Sequence, residues 1–336
     1  MTETVVRRPR AKYGTPVRRA LQCLILGVAL AGLAQPAAAS PAPEGKPSPV
    51  AQAEACPRSK PRTSDELVQL YAAGVGYGAL TGLWVQALGS EGSALSLLLP
   101  AVGVTGLALG TTAWLDHSDA LTLGLPQAIA TDTAIGLEIA AAWAWRAHSR
   151  APQDEDAEWS SPRQTTLLWS GATVGAAIGI VRYALSPSTP ARAAFTGSMT
   201  LWTGALSGLI AGAATRSSAQ RDDHASLAAA ISLEVGVVLS SFVGRWLDPS
   251  LGWVRALDVG ATLGGSLVGG GYLLLSNGAI DDRATLGLAA AGTGAGLLAA
   301  ALWAPRLGLP RSSTLAIGPD FGLGNGALGL SARGAF

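Results

Sequence analysis

Long apolar stretches, separated by short polar connections, follow one another through most of the chain. Their apolar residues are continuous and do not alternate with polar ones, which favours helices over strands. Most stretches are 19 to 26 residues long, enough for a helix to cross a hydrocarbon core of about 30 Å at about 1.5 Å per residue. The pattern predicts an all-α fold of about eight membrane-type helices. The stretches are 67–88, 94–114, 120–145, 166–185, 194–214, 225–246, 254–275 and 284–303.

Glycine recurs at four-residue spacing within three of these stretches. Four residues are about one helical turn, so these glycines share one helix face and let two backbones approach closely, as membrane helices do. In a soluble helix each interior glycine costs about 1 kcal/mol relative to alanine, which makes 43 glycines hard to sustain. We predict helix packing through nine of them: Gly74, Gly78, Gly82, Gly171, Gly175, Gly179, Gly204, Gly208 and Gly212.

Two kinds of internal repetition are visible. Asp119, Asp223 and Asp282 each open a D-x-[LA]-[ST]-L pattern before an apolar stretch, and an acidic residue there is typical of a helix start. The glycine sets around Gly78 and Gly175 also recur at an offset of 97 residues. This offset predicts units of three helices, the second inverted relative to the first, as in many secondary transporters.

The amino terminus is typical of an export signal. A basic segment ending at Arg19 precedes a short apolar run from Leu21 to Ala34, and three alanines precede Ser40. The run is too short to span a bilayer, so we predict a cleaved signal peptide over 1–39. The Pro-, Ala- and Ser-rich segment 40–64 is predicted to be a disordered linker.

Signal cleavage changes the charge of the chain. Removing six basic residues and Glu3 from totals of 23 and 22 leaves 17 basic against 21 acidic residues, a balance that argues against nucleic-acid binding. Charged residues make up 13% of the chain, compared with about 25% in soluble proteins. Cys56 is the only cysteine after residue 39, either as a free thiol or in an intermolecular disulfide.

The C-terminal segment 307–336 differs from the helical membrane domain, which we place at 65–306. Apolar residues alternate from Leu328 to Phe336 after a Gly-, Asp- and Asn-rich segment, which predicts a short β-hairpin. With its terminal phenylalanine, this segment resembles the closing strand of exported outer-membrane barrel proteins. The resemblance implies a sorting signal, although the apolar stretches do not supply the many alternating segments of about ten residues that a barrel requires.

Ionisable residues inside the apolar stretches are the candidate functional residues, because a charge in hydrocarbon is usually paired or lines a wet cavity. Glu138 and Glu234 occupy matching places in the two repeat units, and we predict an intramembrane polar site there with Arg182 and Arg245 as partners. Alternatively, the arginines extend to the membrane surface and the acids form interhelical hydrogen bonds. The other ionisable residues in the stretches are Asp132, Arg255 and Asp258.

Motifs for catalysis and cofactor binding are absent from the sequence. His117, His148 and His224 lack the spacing of metal ligands. No glycine-rich nucleotide motif occurs in a strand–loop–helix context, and no nucleophile, base and orienting group can be assembled. We therefore expect no enzymatic activity, no cofactor and no metal.

The segment from Tyr77 to Trp84, together with the three D-x-[LA]-[ST]-L starts, resembles exported bacterial proteins built from repeated Gly-rich apolar segments. The resemblance implies a cell-envelope location and no particular activity. We expect an envelope membrane protein, structural or pore-like, that contacts the lipid bilayer and forms homo-oligomers through its glycine faces. Two alternatives stay open: a secondary transporter or channel of inverted repeats, and an outer-membrane or periplasmic Gly-rich module. The sequence leaves inner and outer membrane undecided.

Overall fold

A computed structural model describes residues 62–89, 94–118, 120–150, 161–276 and 281–304, and the backbone of two strands near the C-terminus. Eight helices occupy this described part of the chain, which confirms the predicted all-α class and helix number. The predicted signal peptide and nearly all of the linker lie outside it. The helices are α1 Ser64–Leu88, α2 Ala94–His117, α3 Leu125–Arg150, α4 Ser161–Leu185, α5 Pro190–Ala214, α6 Ser218–Leu247, α7 and α8 Asp282–Trp303; α7 comprises Leu251–Gly265, a π-helical turn Ser266–Gly270 and Gly271–Leu275.

Three odd-numbered helices begin at a hydroxyl residue whose side chain accepts a backbone N–H of the first turn. Thr63 does so for α1, Thr189 for α5 and Ser250 for α7. Pro190 follows the second of these caps, at a position where its missing N–H costs nothing. Because the connections are short and successive helices run antiparallel, the odd-numbered helices all begin at one end of the bundle.

The predicted acidic helix starts are only partly correct. Asp282 is the first residue of α8, and Asp281 before it accepts a hydrogen bond from the Arg283 backbone N–H at 3.0 Å. Asp223, however, lies inside α6, which begins at Ser218. Its carboxylate instead pairs with Arg150 of α3, with a distance of 2.6 Å between Arg150 Nε and Asp223 Oδ1. Beyond the first turn of a helix, the backbone N–H groups already donate to helix carbonyl oxygens. The side chain of Asp223 is therefore not needed as a cap and is able to pair with a residue of another helix. The third predicted start, Asp119, lies outside the described residues.

The helices pack as four hairpins: α1 with α2, α3 with α4, α5 with α6 and α7 with α8. The first helices of the hairpins form an inner row, in which α1 contacts α3, α3 contacts α5 and α5 contacts α7. The second helices form an outer layer, and α4, α6 and α8 each also contact the inner helix of the preceding hairpin. The packing unit is therefore two helices, and the three-helix repeat stays a prediction from the sequence offset.

Glycine brings the two helices of a hairpin into backbone contact. A Cβ added to Gly175 of α4 would overlap the Asp132 carbonyl oxygen of α3, and one added to Gly136 would overlap the Gly171 carbonyl oxygen. In the last hairpin, Gly260 and Gly296 approach each other in the same way. Only glycine allows this separation, since any side chain would have to occupy the space of a neighbouring backbone.

The nine glycines predicted to pack lie at such interfaces or are buried within them. Their nearest neighbours are Thr105 and Ala108 in the first hairpin, Ala140 and backbone atoms of α3 in the second, and Leu233, Ala225 and Leu286 around α5; Gly82 is buried in α1. Gly106 and Gly110 of α2 have the same spacing but are exposed, and a Cβ added to either would meet nothing within 4 Å. Four-residue spacing of glycine therefore predicts a helix face of small residues. It does not predict whether another helix packs against that face.

The outer helices, together with the inner helices α1 and α7, carry nearly all of the large exposed hydrophobic side chains of the described bundle. All four outer helices are long and apolar enough to cross a membrane, over Leu98–His117, Pro162–Leu185, Ser218–Leu247 and Asp282–Trp303. Large exposed hydrophobic side chains include Leu107 on α2 (71%), Val238 on α6 (69%) and Leu298 on α8 (66%). Among the described residues, α3 contributes none of these side chains and α5 contributes only Ile210. The inner helices α3 and α5 are thus the most enclosed.

The two strands belong to a different unit of the chain from the helices. Strand β1 is Ala316–Phe321 and strand β2 is Leu328–Arg333, paired antiparallel with Ala316 opposite Arg333 and Phe321 opposite Leu328. The C-terminal β-hairpin within 307–336 and its role as a sorting signal stay predictions.

Candidate functional site

The inner helices α3 and α5 carry the largest sets of buried polar side chains. Most of these groups are hydrogen-bonded locally. Thr196 Oγ1 donates to the Arg192 carbonyl oxygen at 3.0 Å, and Gln127 Nε2 donates to Thr131 Oγ1 at 3.0 Å. Such bonds let hydroxyl and amide groups lie in an apolar environment at little cost. The set is Gln127, Thr131 and Asp132 on α3 and Thr196, Ser198 and Thr200 on α5.

Asp258 of α7 faces α5 and is held there by two donors. Ser198 Oγ donates to Asp258 Oδ1 at 2.5 Å, and Trp202 Nε1 donates to the same oxygen at 2.8 Å. Both donors lie on α5, about one turn apart. The carboxylate therefore ties the third hairpin to the fourth inside the bundle.

Glu138 lies on α3, which packs against α5. Its Oε2 atom is shielded from solvent and has no hydrogen-bond partner among the described residues. Glu138 and Asp258 are thus two carboxylates on inner helices that both contact α5. Two acidic groups that share a low-dielectric interior require a proton or a cation to offset their charge. This pair is the strongest candidate for a functional site in the helical bundle.

Glu234 does not join this pair. It is exposed on α6, and Trp143 Nε1 of α3 donates to Glu234 Oε1 at 2.9 Å. The structure thus shields Glu138 Oε2 and leaves Glu234 exposed, where the sequence had suggested one site for both. Both glutamates are flanked by apolar residues, so their sequence surroundings do not distinguish the enclosed side chain from the exposed one.

The two predicted arginine partners also separate from the glutamates. Arg182 of α4 forms an ion pair with Asp132 of α3, at 2.9 Å between Nη2 and Oδ1, and its Nη1 donates to Ser241 Oγ of α6 at 3.3 Å. This contact links three helices. Arg245 is exposed in the last turn of α6, and the ion pairs of the described residues do not include it.

A second polar cluster joins the helix starts at one end of the bundle. Glu66 of α1 is 1% exposed, accepts the Thr63 backbone N–H at 2.8 Å and accepts the Gly124 backbone N–H at 2.5 Å. Burial raises the pKa of the Glu66 carboxyl, although the hydrogen bonds from Thr63 and Gly124 lower it in part. At the same end, Arg255 of α7 pairs with Asp65 of α1 at 3.4 Å. This ion pair connects the first and last inner helices. The two residues are 190 positions apart in the sequence, and the sequence did not predict their contact.

Asp258 is the functional candidate whose role the sequence did not reveal. One signal was available: Asp132 and Asp258 occupy equivalent positions counted from the first residues of their helices, Leu125 and Leu251. Recognising this equivalence requires the two-helix packing unit, and the glycine offset indicated units of three.

Within the described part of the chain, no three His, Cys, Asp or Glu side chains are grouped so as to hold a metal ion. Comparison of the chain with protein-family models, with curated proteins and with solved structures finds no match. The function of the protein is therefore inferred from its own residues.

Proposed function

We propose that the protein is an integral membrane protein of the cell envelope, in which four helical hairpins form a structural assembly without a catalytic site. One observation supports this best: in every hairpin, the outer helix is the one long and apolar enough to cross a membrane. Half of the buried polar side chains of the described residues lie on the inner helices α3 and α5. This division suits a protein whose outer surface contacts lipid and whose interior satisfies its polar groups.

Extraction of native membranes with alkaline carbonate tests the proposal. An integral protein stays in the membrane pellet, whereas a peripheral or periplasmic Gly-rich module is released. Separation of inner and outer membranes on a sucrose gradient then shows which of the two membranes contains the protein. Release into the carbonate supernatant would exclude the membrane proposal.

Export through a cleaved signal peptide is part of the same proposal. The basic segment, the short apolar run and the alanines before Ser40 support processing there. Mass spectrometry of the protein recovered from membranes should find a new amino terminus near Ser40. Recovery of an intact Met1 terminus would contradict processing at this site.

Self-association through glycine is a further part of the proposal. The exposed face of α2 that contains Gly106 and Gly110 is unfilled by other parts of the described bundle, so a second copy is able to approach it closely. Cross-linking in native membranes, compared between the wild type and Gly110→Leu, measures this association. Unchanged cross-linking would argue against an interface on this face.

A second candidate function is transfer of a proton or a small cation across the membrane. It is favoured by one observation, the shielded Oε2 of Glu138, which has no hydrogen-bond partner among the described residues. Enclosed carboxylates in membrane proteins commonly bind protons or cations along a transport path. Ser198 and Trp202 would then hold Asp258 in position while the occupancy of Glu138 changes.

Flux measurements in proteoliposomes separate the two candidates. For a transporter, Glu138→Gln should abolish a pH-dependent ion flux, because glutamine keeps the shape of the side chain and cannot release a proton. Glu234→Gln is the matched control, since it removes an exposed carboxylate and should leave the flux unchanged. A wild-type protein that passes no ions across a range of pH would leave only the structural assembly.

A further inference from the structure

An apolar groove of about 560 Å³ runs along the outer surface of α4 and ends at two arginines. Val174, Ile178 and Val181 form its wall and are each more than half exposed. Its lining extends to Leu185 and Ser186 at the end of α4, and Arg245 of α6 closes this end together with Arg182. The groove is open along one side, so a chain-like ligand is able to enter it from the surrounding membrane.

The length and position of the groove match one leaflet of a bilayer. From Val174 to Leu185 the helix rises roughly 16 Å at about 1.5 Å per residue, close to half of a hydrocarbon core of about 30 Å. Arg182 and Arg245 both lie in the last turns of their helices. If α4 and α6 cross the membrane, these arginines lie at headgroup level and the apolar wall lies at acyl-chain level.

The charges at the closed end of the groove are not balanced within the described residues. Asp132 offsets the charge of Arg182 through the ion pair at 2.9 Å. Asp248, close to Arg245 in the sequence, is paired with Arg192 at 3.3 Å. Arg245 is therefore left with an uncompensated positive charge beside an apolar groove, and a guanidinium group is well suited to bind phosphate oxygens.

We infer that this groove binds an anionic phospholipid, with its phosphate on Arg245 and one acyl chain along α4 from Leu185 to Val174. Basic pockets between membrane helices bind anionic headgroups in the same manner. The site rests on the proposed membrane location. It is separate from the Glu138 and Asp258 pair, which lies in the interior of the bundle.

Native mass spectrometry of the protein purified in mixed phosphatidylglycerol and phosphatidylcholine tests the site. The wild type should retain phosphatidylglycerol in preference to phosphatidylcholine. Arg245→Gln should lower the retained phosphatidylglycerol about tenfold, the effect of losing one charge-assisted hydrogen bond. Arg216→Gln is the matched control, because Arg216 is also exposed but lies after α5 at the opposite end of the bundle, and it should change retention little.

Any one of the following three results would overturn the inference. Equal retention of the two lipids by the wild type would show a site without headgroup selectivity. Equal losses in Arg245→Gln and Arg216→Gln would show a general effect of positive charge. A dimer that carries no lipid would assign the groove to a second copy of the chain. Thermal unfolding of both variants checks that folding is intact, and carbonate extraction separates failure of this site from failure of the membrane proposal.

Discussion

Glu66 shows how one buried side chain connects two hairpins. Its carboxylate completes the hydrogen bonding at the start of α1 through Thr63 and also accepts the Gly124 N–H just before α3. Gly124 has a positive φ of 90°, and an added Cβ would overlap the Ser188 carbonyl oxygen, so the chain needs glycine at this turn. The sequence identified neither residue, because both lie outside the four-residue glycine pattern and the ionisable set within the apolar stretches.

The raised pKa of Glu66 predicts a pH dependence of stability. In the unfolded chain the carboxyl loses its proton near its ordinary pKa of 4.5, whereas the folded protein retains the proton to higher pH. The folded state therefore binds more protons in this range, and its stability falls as the pH rises from about 4.5 through the raised pKa. Glu66→Gln cannot titrate, so this part of the decrease should disappear.

Thermal unfolding in detergent between pH 4 and 8, roughly the range around a glutamate pKa, measures this difference. Glu234→Gln serves as the control, because Glu234 is exposed and its removal should leave the pH dependence close to that of the wild type. A Glu66→Gln variant with the same pH dependence as the wild type would contradict the prediction.

Among the helices, the hairpin interface of α3 and α4 depends on glycine, as does that of α7 and α8. Gly175→Ala would place a methyl group against the Asp132 backbone, and neither helix has a flexible side chain there that is able to move aside. We expect destabilisation of about 1 to 3 kcal/mol, the usual cost of overpacking. Gly76→Ala of α1 is the matched control, since its added Cβ would meet nothing within 4 Å and alanine favours the helix by up to about 1 kcal/mol.

Thermal unfolding of the two alanine variants in detergent tests the prediction, with a lower midpoint for Gly175→Ala and an unchanged or higher one for Gly76→Ala. Equal midpoints would mean that the helices separate easily and that glycine is not required for their contact.

The existence of the helices could be predicted from the sequence, but their partners could not. Eight continuous apolar stretches predicted eight helices, because a membrane-length helix needs a long apolar segment whatever it contacts. The glycine spacing of Gly74 and Gly78 is the same as that of Gly106 and Gly110, yet the first set is packed and the second is exposed. The glycine spacing specifies how closely another helix is able to approach. Which helix approaches depends on the tertiary structure.

Across the described bundle, the helices alternate between inner and outer positions, whereas the sequence offset predicted units of three helices. The glycine offset compared α1 with α4, but α1 is an inner helix and α4 an outer one. Polar groups indicate the two-helix unit better, as the equivalent positions of Asp132 and Asp258 in α3 and α7 show. The apolar composition of all eight stretches hides this alternation, because membrane proteins are apolar on both packed and lipid-facing helix surfaces.

The hairpin arrangement predicts the sidedness of the connections if all eight helices cross the bilayer. Connections within hairpins, such as 215–217, then lie on one side of the membrane, and those between hairpins, such as 186–189, lie on the other. The test starts from a variant in which Cys23 and Cys56 are replaced by serine. Into it, one variant introduces Ser217→Cys and a second introduces Ser186→Cys, so that each carries one thiol in one of these connections. Both positions are exposed. An impermeant maleimide applied to membrane vesicles of one orientation should label only one of the two variants, and the second should react after the vesicles are opened. Labelling of both from the same side would mean that α5 does not cross the membrane, since Ser186 precedes this helix and Ser217 follows it.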